Sequence, residues 1–146
     1  MSVLECDYIV NNSGSIVVDV VSFVKHPTII GPQILNVTFG GPCTASTSLT
    51  ITQVGRLVYV TIQPQFGTSL GSSFFTSSVG IIPVIYRPTT TRSAQIIVMN
   101  NSVRAYGSVS ISTLGTLTIR NYTSSFGGFS NGGIVGWDKT TFSWAL

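Results

Sequence analysis

The run Leu57-Val58-Tyr59-Val60-Thr61-Ile62 constrains this chain more than any other feature. Its strict alternation puts Leu57, Tyr59 and Thr61 on one face of a strand and Val58, Val60 and Ile62 on the other. A helix would scatter these side chains around its axis. The same period recurs at 48–53, at 104–112 and at 116–119, and 94–99 reads as a further strand. In 104–112, Val109 and Ile111 stand opposite Ser108, Ser110 and Ser112. Further strands are expected at 3–10, 16–24, 34–39, 134–137 and 141–146. Turns are expected at 11–14, Gly55, 100–102 and Leu114-Gly115, and a loop around Gly31-Pro32. Residues 65–78, rich in Gly, Ser and Phe, read as a loop or an edge strand. Residues 79–85 hold Pro83 and read as an edge strand or a strand end. No segment has the period of an amphipathic helix. About ten short strands with turns every eight to twelve residues predict one all-β domain, a sandwich or a barrel.

Composition excludes several classes. Charged residues are 8% of the 146, against about 25% in ordinary domains. That is too few for a coiled coil or a disordered tail. Ser and Thr make up about a quarter of the chain, which suits strands and turns. The net charge is +3, but Lys25, Arg56, Arg87, Arg92, Arg104, Arg120 and Lys139 are scattered, so nucleic-acid binding is not expected. Residues 16–24 are the most apolar stretch, far short of the about 20 residues that span a bilayer. Met1, Ser2, Glu5 and Asp7 lack the basic start of a secretory leader. Release as part of a particle is the expected route out of a cell. The four N-x-S/T patterns, at Asn11, Asn36, Asn100 and Asn121, are therefore expected to carry no glycan.

The inventory of reactive groups is thin. His26 is the sole histidine, and Cys6 and Cys43 form no metal-binding spacing, so neither a metal nor a cofactor is expected. The cysteines read as one disulfide, two free thiols, or simply small buried residues. Glu5 and Asp7 share a strand face, as two carboxylates of a glycosidase would, but charges that keep an edge soluble fit as well. The glycine-rich run 127–133 has no following Lys or helix and reads as a loop, not a phosphate cradle. The expectation is a protein that is not an enzyme. Tyr59, Tyr86, Tyr106, Tyr122, Trp137 and Trp144 suit stacking on sugars if exposed. Tyr59, Tyr106, Trp137 and Trp144 are assigned to core or subunit packing.

From Ser46 onward the order of motifs resembles the C-terminal heads of phage tail fibres and large-virus fibre proteins. The similar segments are Leu49-Thr50-Ile51-Thr52-Gln53-Val54-Gly55-Arg56-Leu57-Val58-Tyr59-Val60, then Ile82-Pro83-Val84-Ile85-Tyr86-Arg87-Pro88. The pair Gly107-Ser108-Val109-Ser110-Ile111-Ser112 and Gly115-Thr116-Leu117-Thr118-Ile119 follows, with a closing strand through Trp144. The resemblance covers about two-thirds of the chain. It implies a jelly-roll β-sandwich of about ten strands, of the complement/tumour-necrosis-factor type, that forms a homotrimer at a virion surface. The first 45 residues depart from the usual collagen-like or coiled-coil shaft. They are expected to complete the sandwich or to form an anchoring arm.

A low-charge chain would expose apolar patches as a monomer, which agrees with a homotrimer. The functional expectation is a fibre-head or capsid-decoration domain that binds a host-surface receptor, a glycan, and contacts other virion proteins. Recognition is assigned to two loops. One holds Arg87, Thr90 and Arg92, and the other holds Phe126, Phe129 and Asn131. The alternatives are a capsid or cementing subunit without a receptor, a carbohydrate-active enzyme using Glu5 and Asp7, and a secreted ligand.

Overall fold

The computed structural model describes residues 28–71, 73–122 and 128–146, together with the backbone of two short paired strands, β1 (Ile9–Val10) and β2 (Ile16–Val18). The expectations for Glu5, Cys6, Asp7, His26 and Phe126, and the turn expected at 11–14, fall outside the described residues. Ten further strands form one antiparallel sheet: β3 (Ile29–Gly40), β4 (Ala45–Val54), β5 (Leu57–Ile62), β6 (Gln65–Thr68), β7 (Phe75–Ser77), β8 (Arg92–Asn100), β9 (Val103–Ile111), β10 (Leu117–Asn121), β11 (Ile134–Trp137) and β12 (Thr140–Ala145). Their spatial order is β12-β5-β4-β3-β7-β10-β9-β8-β11-β6. The sheet curls until β6 meets β4 and β12 meets β8. The result is an all-β, jelly-roll-like sandwich: alternation predicts the all-β sandwich or barrel, and the fibre-head resemblance implies the jelly roll. Among the described residues no helix is long and apolar enough to cross a membrane.

Alternation decides what faces inward. In β5, Val58, Val60 and Ile62 are fully buried, while Leu57 and Tyr59 are exposed. Val109 and Ile111 of β9 and Leu117 and Ile119 of β10 close the core from the opposite side. Phe39, Phe75, Phe129 and Trp137 meet edge to face, each contacting pair with ring centroids 5.0 Å apart. That arrangement sets the positive edge of one ring against the negative face of the next. Trp137 donates its indole Nε1–H to the Gln63 carbonyl (3.0 Å), which satisfies the polar atom of an otherwise buried ring.

Three local expectations change. The strand expected at 34–39 begins at Ile29, and Gly31-Pro32 is an irregularity within it rather than a loop. The stretch 65–78, read as a loop or an edge strand, supplies two strands: β6 at the edge of the sheet, as expected, and β7 between β3 and β10 in its interior. Residues 79–85 form no strand. A 3-10 turn at Val84–Tyr86 replaces it, closed by a bond from the Tyr86 amide to the Pro83 carbonyl (2.9 Å). Pro83 has no N–H to donate to a ladder, and its fixed φ suits the start of a turn. β3 pairs with both β4 and β7, so the sheet that holds the fibre-head-like segment begins ahead of Ser46.

Candidate functional site

The outer face of β8, β9 and β10 brings together two exposed tyrosines and several ionic groups. Strand register builds it row by row. Ile97 lies opposite Tyr106, and the Tyr122 amide donates to the Tyr106 carbonyl (3.0 Å), so three large side chains stand abreast. Ile97 is 37%, Tyr106 62% and Tyr122 58% exposed. The next row is Gln95, Ser108 and Arg120, whose guanidinium lies 4.3 Å above the Phe74 ring. On the other side of Tyr106, Arg104 pairs with Asp138 at 3.4 Å.

Two backbone features fix this arrangement. Gly107 lies between Tyr106 and Ser108, and a Cβ there would run into the Arg120 carbonyl and the Val98 side chain. Its absence lets β10 close up on β9 and sets Tyr122 beside Tyr106. β11 pairs with β8 only at Val98 and Met99, then leaves it. The Asp138 amide still donates to the Ile97 carbonyl (3.2 Å), which holds the Asp138 carboxylate near Arg104. The parting of the strands opens a depression of about 380 Å³ lined by Ile97, Arg104, Ala105, Tyr106 and Asp138. A contiguous one of about 370 Å³ runs on past Gln95, Lys139 and Thr140. The Arg104–Asp138 pair is open to solvent, so it orients side chains more than it stabilises the fold. The surface is an aromatic and aliphatic strip bordered by an amide, three cations and one carboxylate. Such a surface can stack on a flat apolar face and hydrogen-bond the polar edge of the same ligand.

The residues expected in the loops take other places. Arg87 is half-buried, and its Nε–H donates to the Ile82 carbonyl (2.8 Å) against Gly115, so it clamps its own loop. Thr90 and Arg92 are exposed, the latter as the first residue of β8. Phe129, expected to offer its ring to a ligand, is instead 1% exposed and packs on Phe75, so no ligand reaches it. Asn131 is exposed. The Ser130 amide donates to Asn100 Oδ1 (2.7 Å), which docks this loop at the far end of β8 from Arg92. Eight residue steps at about 3.3 Å put the two loops roughly 26 Å apart, so they do not form one site. The groove lies between them. Trp137 and Trp144 are in the core, whereas Tyr59 and Tyr106 point outward on different faces.

The sequence alone does not single out Ile97, Gln95, Arg104, Arg120 or Asp138 as ligand-binding residues. The parity of 104–112 marks Arg104 and Tyr106 as neighbours on one face, but only the register across three strands reveals the strip. Among the described residues no group of three or more His, Cys, Asp or Glu is placed to hold a metal. Cys43 is a free, half-buried thiol, and burial raises its pKa.

No protein-family model matches the chain, and no curated protein matches it. Among solved structures it is similar to a reovirus attachment protein, sigma1, crystallised in complex with alpha-2,3-sialyllactose. The similarity covers 100% of this chain and 78% of that one, at a TM-score of 0.49 and 18% identity.

Proposed function

We propose that this chain is a non-enzymatic, homotrimeric attachment head on a virion surface, and that its β8–β9–β10 face binds a host-surface glycan. The observation that carries the glycan reading is the exposed row Ile97–Tyr106–Tyr122, bordered by Gln95, Arg104 and Asp138. A sugar ring offers a C–H face to an aromatic platform and hydroxyls to planar polar groups, and this face supplies both. The order of fibre-head-like motifs from Ser46 to Trp144 supports the virion setting. The non-enzymatic part of the reading is supported by the chemistry at the groove. Asp138 is the sole acidic residue among those described, and Arg104 pairs with it.

The test is a glycan array probed with the purified protein and with Tyr106→Ala. Selective binding to a class of glycans, lost in the variant, is expected. Binding that Tyr106→Ala leaves intact would move the site elsewhere. No binding to any glycan would favour a cementing subunit without a receptor.

A further inference from the structure

Among the described residues, the strands of the opposite face carry no charged side chain. The sequences of β3, β4, β5 and β12 contain no Asp, Glu, Lys, Arg or His. Register aligns their outward side chains in rows: Ile34–Thr50–Thr61–Thr141, then Thr52–Tyr59–Ser143, then Ile29–Val54–Leu57–Ala145. Ile29 and Ile34 are about two-thirds exposed (66% and 68%), and Leu57 and Tyr59 are open to solvent as well. Hydroxyls fill the space between them, and the Oγ1 atoms of Thr61 and Thr141 lie 2.8 Å apart. Arg56 sits in the turn between β4 and β5, where its guanidinium holds the Leu146 carbonyl.

We infer that this uncharged face is the contact between copies of the chain. The inference rests on the homotrimer reading above and adds the surface that would form it. A partner with a charged surface would bury ions against a face that has no counter-charge, at a cost in desolvation. A second copy of this face brings no ion. Its Ser and Thr hydroxyls each donate or accept, so a surface of hydroxyls and apolar groups complements itself. A sheet face left in water usually turns polar residues outward, whereas Ile29, Ile34 and Leu57 stand out among the hydroxyls here. Arg104, Arg120, Asp138 and Lys139 all lie on or beside the other face. Packing through the uncharged face leaves the aromatic groove directed outward on every copy.

Light scattering of the full chain under reducing conditions tests this, with Tyr59→Lys, Thr141→Lys and, on the opposite face, Gln95→Lys. Circular dichroism checks that each variant folds. Hydroxyl-radical footprinting of the unmodified protein gives a readout that needs no variant. The expected result is a mass of three chains for wild type and Gln95→Lys, folded monomers for the other two, and Tyr59 protected while Tyr106 is labelled. A trimer that survives both Tyr59→Lys and Thr141→Lys, or a fully labelled Tyr59, overturns the assignment of this face and leaves the trimer reading standing. A dimer that Tyr59→Lys dissolves overturns the trimer count and keeps the face. A wild-type monomer overturns both.

Discussion

The indole of Trp144 donates its Nε1–H to the backbone carbonyl of Tyr86 at 2.9 Å, across 58 residues of sequence. Trp144 lies on β12 at one end of the sheet, and Tyr86 ends the 3-10 turn that precedes β8. Both side chains are buried, and Trp144 also packs on Phe142 with ring centroids 5.6 Å apart. The bond ties the terminal strand to the loop that closes the sandwich beside it.

Trp144→Phe keeps an aromatic ring and removes this donor. The Tyr86 carbonyl is then left without its partner in a dry site, which costs about 1–3 kcal/mol. In a domain of this size the melting temperature falls by roughly 3–10 °C. Differential scanning calorimetry measures it. An unchanged melting temperature would show that water replaces the indole and that the tie is dispensable.

Gly107→Ala is expected to destabilise by about 1–3 kcal/mol, the usual cost of forcing a group into packed space. The new methyl meets the Arg120 carbonyl and comes within 2.7 Å of a Val98 methyl, so β9 and β10 must separate. The separation displaces Tyr122 from Tyr106. Chemical denaturation gives the stability, and glycan binding is expected to weaken in the surviving folded fraction. Unimpaired binding would mean that the two tyrosines do not act as one platform.

These relationships divide into those a strand pattern can declare and those it cannot. The inward set of β5 follows from alternation, because Val58, Val60 and Ile62 need only know their own strand. β7 does not, since Phe75 to Ser77 is a strand only because β3 and β10 supply ladders on both sides. Phe129 illustrates the same limit. Its glycine-rich neighbourhood reads as open loop, yet the ring fills the space beside Phe75, a contact between segments more than 50 residues apart. Of the candidate site, Tyr106 with Arg104 was legible from parity. The adjacency of Tyr122 and the reach of Asp138 from the β11–β12 connection depend on register and on where β11 leaves β8.

Cys43 is predicted to alkylate slowly. Burial disfavours its thiolate and raises its pKa, and Gly67 approaches it closely. At pH 8 iodoacetamide should modify it more slowly in the folded protein than in urea, with the gap narrowing as pH rises through the raised pKa. The sign for stability follows from the same shift. The neutral thiol is favoured in the folded state, so this contribution is present below the unfolded pKa and is lost as pH rises through the folded one. Peptide mapping by mass spectrometry reads the modification, and equal rates would mean that the thiol is freely solvated.

The groove and the loop it displaces as the leading site make opposite forecasts for Arg92. If the ligand lies along Ile97, Tyr106 and Tyr122, Tyr106→Ala weakens binding by about tenfold, equivalent to ~1.4 kcal/mol. Arg92→Ala, at the start of β8, then changes it by less than about twofold, because an exposed residue outside a contact centre contributes little. Asp138→Asn keeps the shape of the groove and removes the partner charge of Arg104, freeing the guanidinium to bond the ligand in a new geometry. The specificity of Asp138→Asn should therefore shift toward acidic sugars while its stability stays within about 0.5 kcal/mol of wild type. Surface plasmon resonance with the array-selected glycan and an acidic analogue separates these cases. A larger loss in Arg92→Ala than in Tyr106→Ala would return recognition to the loop that holds Thr90 and Arg92.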